Sequence, residues 1–496
     1  MGHELEHGER GAGHLLLFPF LAQGHLIPFF NLAKRIESLG QRGSRGRRRS
    51  LTITIVSTTR NVANLRRAVP AGSSIRFAEL RFSPSDHSLP PDAESSDAIP
   101  LQDFPAFYFA TEALRSPFER LVTELAGREG CKNVCVLADI FLGWTAESAR
   151  ALGVQHRVFL TSGAYASAIT FALWLRPPIF PRPANLDDEQ TLLDFPDVRV
   201  RYVQFLNVVV TEDKASNPMM AYLCRMLDLH FRNSGGLVIN TAEEIESKGL
   251  HHIGKLSGLP TFAVGPLIGD RTHSDTPPDG DVCIKFLDSK PPASVLYVSF
   301  GSQNTIPASQ MMELARGLED SGRPFIWVVR APVEFDGEKE FRAEWLPDGF
   351  EKRVAAAAQG VVVRRWAPQV GILAHASTGA FLSHCGWNSV LESLWHGVPV
   401  VGWPLMSDQL FDSRMLEELG IGVEVASGRM YGGLDKGWEH VRDVVETVLG
   451  DGEKARSMRR KAAELKELAR AAVKADGEVK GSSVLAMERL LGNAFG

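Results

Sequence analysis

Short, almost continuously apolar segments alternate with helical patterns along most of the chain. Five of these segments lie in the first half and five in the second, at residues 15–20, 51–58, 134–139, 157–162, 237–241, 294–302, 325–330, 361–366, 379–384 and 398–404. Strands that are apolar on every side are typical of parallel sheets covered by helices on both faces. The pattern therefore predicts the α/β class, with doubly wound sheets.

A polar segment rich in Pro and Gly, residues 267–281, separates the two series of strands. Segments of this composition are typical of linkers, and 496 residues are enough for two large domains. We therefore divide the chain at this point into two doubly wound domains. The charged stretch at residues 454–477 has a helical composition and is predicted to form a pair of surface helices.

Charge and composition exclude several classes of protein. With 54 Lys+Arg against 59 Asp+Glu, the chain has no overall field that would draw it to nucleic acid or to an anionic membrane. The basic cluster at residues 41–50 is interpreted as a solvated loop, with nucleic-acid binding or nuclear targeting as the alternative. Five scattered cysteines favour a reducing compartment, and no stretch approaches the ~20 apolar residues of a membrane span. We expect a cytoplasmic monomer.

Three sequence matches look like chemical motifs but lie in the wrong context. Residues 3–7 satisfy H-E-x-x-H, yet they lie in a Gly-flanked terminus and not on a buried helix. Asp279 and Asp281 flank a glycine and are interpreted as a solvated turn of the linker. Gly420 and Gly422 lack the third glycine of a dinucleotide fingerprint. We therefore expect no metal site and no nicotinamide cofactor.

The most informative segment spans residues 366–409. It contains GAFLSH, which indicates a strand, then a tight turn, and then Asn388 and Ser389 in the first turn of a helix. The N–H groups and dipole at such a helix start make an anion site. His384 can donate to phosphate oxygens, Glu392 can accept from ribose hydroxyls, and Trp366 can stack on a base. Taken singly, the tryptophan is equally explained as core and the asparagine as a helix cap.

Taken whole, the segment resembles, almost position for position, the 44-residue signature box of the plant family 1 UDP-dependent glycosyltransferases. Two further stretches match the family, FLDSKPPASVLYVSFGS at residues 286–302 and FPFLAQGHLIPFFNLAKRI at residues 18–36. The resemblance therefore covers essentially the whole chain. It implies the GT-B fold, in which two Rossmann-like domains face each other across a cleft.

The resemblance also implies what each part of the chain does. Residues 1–266 would form an N-terminal acceptor-binding domain, residues 267–282 a linker, and residues 283–475 a C-terminal domain that binds the UDP-sugar. Residues 476–496 would form a C-terminal helix, for which packing back on the N-terminal domain is one arrangement.

Roles follow from the resemblance for the residues at matching positions. Trp366 would stack on uracil, and the Ala367 backbone and Gln369 would read the edge of that base. Glu392 would hold the ribose hydroxyls. The pyrophosphate would be held by His384, Asn388, Ser389 and Ser302. A second set contacts the sugar: Thr161, Trp387, Asp408 and Gln409. Because the closing glutamine tends to accompany glucose in the family, UDP-glucose is the expected co-substrate.

His25 and Asp139 are the candidate catalytic residues. Both follow or end predicted strands of the first domain, at the carboxyl edge where α/β sheets bind ligands. A histidine can take a proton from an acceptor hydroxyl, and a carboxylate can fix its tautomer and stabilise the imidazolium. Both positions match the family's His and Asp pair; without that match, helix capping or satisfied burial is the favoured explanation of the histidine. The resemblance implies inverting transfer without a metal or other cofactor.

The acceptor is the part that the sequence determines least. Aromatic and apolar residues cluster at 104–114, 140–144, 164–175 and 203–207, where some are expected to line a pocket and most to be core. The family expectation is a small lipophilic metabolite with a hydroxyl or carboxyl group.

Two other functions remain open. A UDP-sugar epimerase or hydrolase would keep the fold and change the reaction. A non-catalytic UDP-sugar-binding protein would keep the nucleotide site but would be expected to lose His25 or Asp139, and both are present.

Overall fold

The structure is a computed structural model that describes residues 13–42, 51–177, 183, 185, 187–208, 217–269, 278–303, 305–335, 341–364, 366–426, 437–476 and 479–495. Within these residues the chain forms two parallel sheets, each covered by helices, so the predicted α/β class is confirmed. The H-E-x-x-H match and residues 43–50 of the basic cluster lie outside the described residues.

The first sheet contains seven parallel strands, and a two-stranded hairpin accompanies it. The nine strands are β1 (Gly13–Phe18), β2 (Leu51–Thr58), β3 (Arg76–Leu80), β4 (Val134–Asp139), β5 (Gln155–Leu160), β6 (Glu189–Thr191), β7 (Arg199–Arg201), β8 (Leu237–Ile239) and β9 (Thr261–Ala263). The order in the sheet is β3-β2-β1-β4-β5-β8-β9, and β6 pairs with β7. The strand order therefore reverses between β1 and β4.

Helices cover both faces of this sheet. They are α1 (Gln23–Arg42), α2 (Thr59–Arg67), α3 (Phe104–Ala110), α4 (Arg115–Glu129), α5 (Trp144–Ala151), α6 (Ala164–Leu175), α7 (Tyr202–Val208), α8 (Pro218–Asn233) and α9 (Glu243–Ser257). α6 is apolar on all sides and almost entirely buried, as expected for a helix with neighbours all round. It packs against α9 and against a helix of the second domain.

The second sheet contains six parallel strands in the order β12-β11-β10-β13-β14-β15. Their bounds are β10 (Val295–Ser299), β11 (Phe325–Val328), β12 (Gly360–Val363), β13 (Thr378–Ser383), β14 (Val400–Gly402) and β15 (Gly422–Glu424). The helices of this part are α10 (Pro278–Asp288), α11 (Ala308–Asp320), α12 (Phe350–Ala356), α13 (Gln369–Ala374), α14 (Trp387–His396), α15 (Gln409–Glu418), α16 (Trp438–Leu449) and α17 (Glu453–Ala472).

All ten predicted strands are present, although several are shorter than their apolar runs. Five strands were not predicted from the sequence: β6 and β7 of the hairpin, and β3, β9 and β15. The last three are edge strands of the two large sheets. These strands are three to five residues long and only partly buried, so they lack a continuous apolar run. Edge strands need less apolar surface because one side has no neighbour.

The structure corrects two local expectations. Residues 454–477 hold one long helix, α17, because its buried positions, from Ala455 to Ala469, keep helical spacing without a break. Asp279 and Asp281 lie inside α10 and not in a turn. Pro278 is the first residue of that helix, where a missing N–H costs nothing, so the helix begins before residue 282.

The last helix, α18 (Ser482–Phe495), returns to the first domain and packs against β9 and β4. The Ser483 hydroxyl donates to Gly265 O at 2.5 Å, and Arg157 Nη2 donates to Asn493 Oδ1 at 2.6 Å. Among the described helices, none is long and apolar enough to cross a membrane.

Candidate active site

A cleft of about 2350 Å³ lies between the carboxyl edges of the two sheets. Thirteen of the fourteen predicted site residues line it: His25, Thr161, Ser302, Trp366, Ala367, Gln369, His384, Trp387, Asn388, Ser389, Glu392, Asp408 and Gln409. The fourteenth, Asp139, is completely buried and contacts His25 from beneath the surface. The structure therefore brings the whole predicted set together.

Strand register explains why residues far apart in sequence meet here. Phe18 at the end of β1 is paired with Ala138 of β4, so the turns that follow these two strands leave the sheet side by side. In the second sheet Ser299 is paired with Ser383, which brings together the turns after β10 and β13. In both sheets these two turns lie where the strand order reverses. This is the position at which open α/β sheets bind ligands.

His25 and Asp139 are joined by a hydrogen bond. His25 Nδ1 donates to Asp139 Oδ2 over 2.7 Å, and the Thr161 hydroxyl oxygen lies 3.1 Å from the same nitrogen. Asp139 Oδ1 accepts the backbone N–H of Phe141 at 3.1 Å, which orients the carboxylate. Because the carboxylate accepts a hydrogen bond from Nδ1–H, the proton of the neutral ring stays on Nδ1 and Nε2 keeps its lone pair, as a general base requires.

Aromatic side chains surround the His25 ring. Its centroid lies 5.6 Å from that of Phe20 and 5.4 Å from that of Phe141, and Tyr108 stacks on Phe20 at 4.6 Å. Burial, with a smaller effect of the Asp139 charge, raises the pKa of the Tyr108 hydroxyl well above its usual range. This wall therefore offers apolar area around one histidine and one neutral hydroxyl.

The first turn of α14 lines the opposite wall. The helix begins at Trp387 after the N-cap Gly386, a residue without a capping side chain, so Asn388 does not cap it as the sequence suggested. N–H groups at such a helix start, together with the dipole, make an anion site. Asn388 Nδ2 donates across the cleft to Gly24 O at 2.9 Å. This bond ties the start of α14 to the first turn of α1, which carries His25.

His384 is buried directly beneath this helix start. A Cβ at position 386 would lie 2.4 Å from His384 Nε2, so the glycine there makes room for the ring. Burial lowers the pKa of His384 to about 4, which leaves the ring neutral at pH 7 with one N–H to donate. Within the described residues the His384 Nδ1 atom has no partner, and a ligand or a water satisfies such a buried atom.

Gln369, Ser389 and Glu392 form a hydrogen-bonded group further along α14. Gln369 Nε2 donates to Glu392 Oε2 over 2.8 Å and to Ser389 Oγ over 3.1 Å. Gln369 Oε1 in turn accepts the Tyr297 hydroxyl at 3.2 Å. These bonds hold the Glu392 carboxylate in one orientation at the cleft wall.

Trp366, Ala367 and Ser302 complete this wall. Trp366 is 42% exposed, whereas Ala367 is buried. A broad exposed aromatic face at the rim of a cleft suits stacking on a planar ring. Ser302 lies in the exposed turn after β10, close to β13 through the strand pairing.

Asp408 and Gln409 lie at the start of α15. Gln409 Oε1 accepts the backbone N–H groups of Leu405 and Met406 at 3.1 and 3.2 Å, which fixes its amide. Burial raises the pKa of the Asp408 carboxyl, against the lowering effect of a hydrogen bond from Ser162. Asp408 thus makes a second polar contact between the two walls.

Trp387 bridges the domains. Its side chain is 4% exposed, and the indole N–H donates to Asn240 O of the first domain at 2.7 Å. The indole donor is therefore engaged, and any contact of this residue with a sugar falls to its backbone.

Among the parts of the cleft lining that sequence reasoning missed are Ser162 and the start of α8. From α8, Met219, Met220 and Leu223 line the cleft. The only signal in the sequence was an apolar pattern at helical spacing, which is as typical of core as of a pocket wall.

Of the two metal-like matches, only Asp279 and Asp281 fall within the described residues. Asp279 and Asp281 lie on α10, and within the described ranges no group of three or more His, Cys, Asp or Glu side chains is placed to hold a metal ion.

Two parallel α/β domains with a polar cleft between their carboxyl edges form the GT-B architecture. The family model described as "UDP-glucoronosyl and UDP-glucosyl transferase" matches residues 265–458, and the glycosyltransferase N-terminal domain model matches residues 14–269. The chain belongs to the plant family 1 UDP-dependent glycosyltransferases and is a UDP-glycosyltransferase.

Individual relatives agree over nearly the full length. UDP-glycosyltransferase 92A1 of Arabidopsis thaliana is 37% identical over 484 residues, which is 97% of each chain. Crocetin glucosyltransferase 3 of Crocus sativus is 36% identical, covering 82% of this chain and 84% of its own. The crystal structure of UGT73P12 from Glycyrrhiza uralensis, in complex with glycyrrhetinic acid 3-O-monoglucuronide, is 27% identical, with a TM-score of 0.80 and 97% and 96% of the chains covered.

Proposed function

We propose that the protein transfers glucose from UDP-glucose to a hydroxyl or carboxyl group of a small lipophilic plant metabolite, with inversion at the anomeric carbon. The observation that carries the proposal is the hydrogen-bonded His25–Asp139 pair on one wall of the cleft, with the first turn of α14 on the other. A base for the acceptor and an anion site for the leaving group are the two parts that such a transfer needs.

His25 acts as the general base. Its Nε2 takes the proton of the acceptor O–H while the acceptor oxygen bonds to the anomeric carbon. The bond from that carbon to the UDP phosphate oxygen breaks on the opposite face, and UDP leaves with the electron pair. Asp139 stabilises the imidazolium, which then gives its proton to water. The products are the glucoside, UDP and one proton.

The uridine end is held by residues around α13 and α14. Trp366 stacks on uracil, whose edge is read by the Ala367 backbone and by Gln369. Glu392 accepts from the ribose hydroxyls through charge-assisted hydrogen bonds. The 2.8 Å bond from Gln369 to Glu392 supports this assignment, because it orients the carboxylate before the nucleotide arrives.

The charge that develops on the departing UDP is met by fixed donors. These are the N–H groups at the start of α14 and the side chains of Ser302, His384, Asn388 and Ser389. Because such donors need no reorganisation during the reaction, a metal ion is not required. The glucose is contacted by Thr161, Asp408, Gln409 and the backbone of Trp387.

The relatives support the substrate class. The names that accompany two of them refer to crocetin and to a glycyrrhetinic acid glucuronide, which fits a small plant metabolite as the acceptor here. The aromatic wall around His25 offers the apolar contact area that such a molecule needs. None of the five cysteines, all of which lie in the described residues, forms a disulfide bond, as is typical of proteins in the reducing cytoplasm.

The test is incubation with a panel of UDP-sugars and a mixture of small aglycones, followed by mass spectrometry. We expect a product heavier by one hexose, with UDP-glucose preferred and UDP release dependent on the acceptor. UDP release at the same rate without any acceptor would favour the hydrolase alternative. Isomerised UDP-sugar would favour the epimerase, and binding without either reaction would favour a non-catalytic protein.

A further inference from the structure

The turn after β4, residues 139–143, carries both Asp139 and the aromatic ring that packs on His25. α8 lies against this turn. Three of its residues, Tyr222, Met226 and His230, are spaced four apart and so lie on one face of the helix. Each of them contacts a different part of the turn.

The first two contacts hold the outer part of the turn. The Tyr222 hydroxyl donates to Phe141 O at 3.2 Å. A Cβ at Gly143 would lie 2.3 Å from Met226 O, so the helix backbone touches the turn directly and only glycine fits there. The turn and the helix therefore cannot shift independently.

The third contact, from His230, is to Asp139, the hydrogen-bond partner of His25. Its Nε2 donates to the backbone oxygen of Asp139 at 3.1 Å, and the same oxygen accepts the N–H of Leu142 at 2.9 Å. His230 is completely buried, and burial lowers its pKa to about 4, so the ring carries one proton at pH 7. That proton lies on Nε2, where Asp139 O receives it.

A second histidine restricts the ring of His230. The His156 ring stacks on it with centroids 5.5 Å apart. His156 is itself held from both sides, since its Nδ1 is hydrogen-bonded to Ser234 Oγ at 2.9 Å and its Nε2 to Thr145 Oγ1 at 3.1 Å. The donor at His230 is thus fixed in direction by a buried network.

We infer that His230 is a positioning residue for the His25–Asp139 pair. By fixing the backbone of Asp139, it keeps the carboxylate 2.7 Å from His25 Nδ1. The inference rests on the proposed function, in which that pair activates the acceptor. The same helix, α8, also lines the cleft through Met219 and Leu223 in its first turns. α8 therefore connects this apolar part of the cleft lining with the His25–Asp139 pair.

The test compares three substitutions at this position. H230M keeps much of the volume and removes the donor, H230N is polar but too short to reach Asp139 O, and H230Q places an amide N–H near the position of Nε2. A small displacement of a catalytic group lowers the rate by ~10- to 100-fold. We expect H230M and H230N to lower kcat by about tenfold, H230Q to restore most of it, and the KM for UDP-glucose to stay unchanged in all three.

A matched control separates positioning from loss of stability. His14 is a buried histidine on β1 of the same domain. It bonds to Glu129 at 2.9 Å and to Thr54 at 2.8 Å and does not line the cleft. His14→Met should lower Tm in the same way as H230M and leave kcat unchanged. Equal losses of kcat in both variants would show that His230 acts only through stability and would overturn the inference.

A double-mutant cycle with D139N ties the effect to the pair. If His230 acts through Asp139, H230M should cause no further loss of kcat in the D139N background, and additive losses would overturn the inference. Wild-type kcat in D139N itself would refute the proposed role of Asp139. Low kcat in D139N with wild-type kcat in H230M would refute this inference alone.

Discussion

The two walls of the cleft are built from the chain in different ways. The nucleotide wall comes almost entirely from the continuous segment 366–409, with Ser302 added from the turn after β10. The opposite wall is assembled from turns after β1, β4 and β5, and from α8. It joins His25, Asp139 and Thr161 through strand pairing, not through sequence proximity. A local motif is sufficient for one wall, whereas the other exists only in the folded domain.

The walls also differ in chemistry. The nucleotide wall presents directional groups, such as the start of α14 and the neutral His384, and these suit a ligand of fixed structure. The wall around His25 presents aromatic area, with Phe20, Tyr108 and Phe141 close to one base. Apolar area tolerates many partners because it has little directionality. The donor is therefore specified more narrowly than the acceptor, and the following experiments test this contrast.

The largest expected effect is on turnover, from the loss of the base. His25→Ala should lower kcat by at least ~10² and leave the affinity for UDP nearly unchanged, because the side chain contacts Asp139 and Thr161 on its own wall. Steady-state kinetics and calorimetric titration of UDP measure the two quantities. Wild-type turnover in the variant would end the assignment, and an acceptor with an ionised carboxyl group should be affected less.

The second-largest effect is expected on the affinity for UDP, from a substitution in the wall formed by residues 366–409. Charge-assisted hydrogen bonds are worth ~1.5 to 3 kcal/mol each, so Glu392→Ala should weaken UDP binding by about tenfold or more while the fold survives. Glu446→Ala, at an exposed position of α16, is the matched control and should change nothing. Unaltered UDP affinity in the Glu392 variant would reopen the whole placement of the nucleotide along α14.

A smaller loss of both UDP affinity and kcat is expected from substitution of Asn388, which joins the two walls of the cleft. Asn388 lies at the start of α14 and donates to Gly24 O, next to His25. Asn388→Ala should therefore lower UDP affinity and kcat together, each by a few-fold, since one neutral hydrogen bond contributes about 1 kcal/mol. Kinetics at saturating UDP-glucose separate the two losses. A change in UDP affinity alone would show that the walls act independently.

No effect is expected from removal of metal ions. The proposed stabilisation of UDP uses N–H donors and the dipole of α14, so EDTA should leave kcat and the KM for UDP-glucose unchanged. Deletion of residues 1–10 should also be tolerated. Activity that is lost in EDTA and restored by magnesium or manganese would contradict the metal-free reaction.

Much of the fold could be predicted because parallel strands buried on both faces carry a strong apolar signal. That signal is present in β1 and β4 and absent from the edge strands β3, β9 and β15, which were missed. The pair of helices predicted within residues 454–477 was wrong, because composition indicates helix but does not show where a helix ends. The buried spacing from Ala455 to Ala469 shows that one amphipathic face continues through it.

The residues that line the candidate site could also be predicted, but the partners that their side chains contact could not. The predicted residues meet in one cleft, but sequence did not indicate that the Trp387 indole bonds to Asn240 across the domain boundary. It also did not indicate that Asn388 bonds to Gly24 instead of capping its own helix. Partners of this kind belong to another domain, and no local pattern encodes them.

The sequence alone therefore determined the α/β class, the family and the segment 366–409 that forms one wall of the cleft, because these depend on periodicity and on residues that are neighbours in the chain. The tertiary structure decided which aromatic residues surround His25, that the start of α8 lines the cleft, and that His230 holds Asp139. Those relations depend on the register of β1 with β4 and on the packing of α8 against a turn far from it in sequence. Contacts at such separations form only when the whole domain folds, since their cost in chain entropy is met by the burial of the shared core.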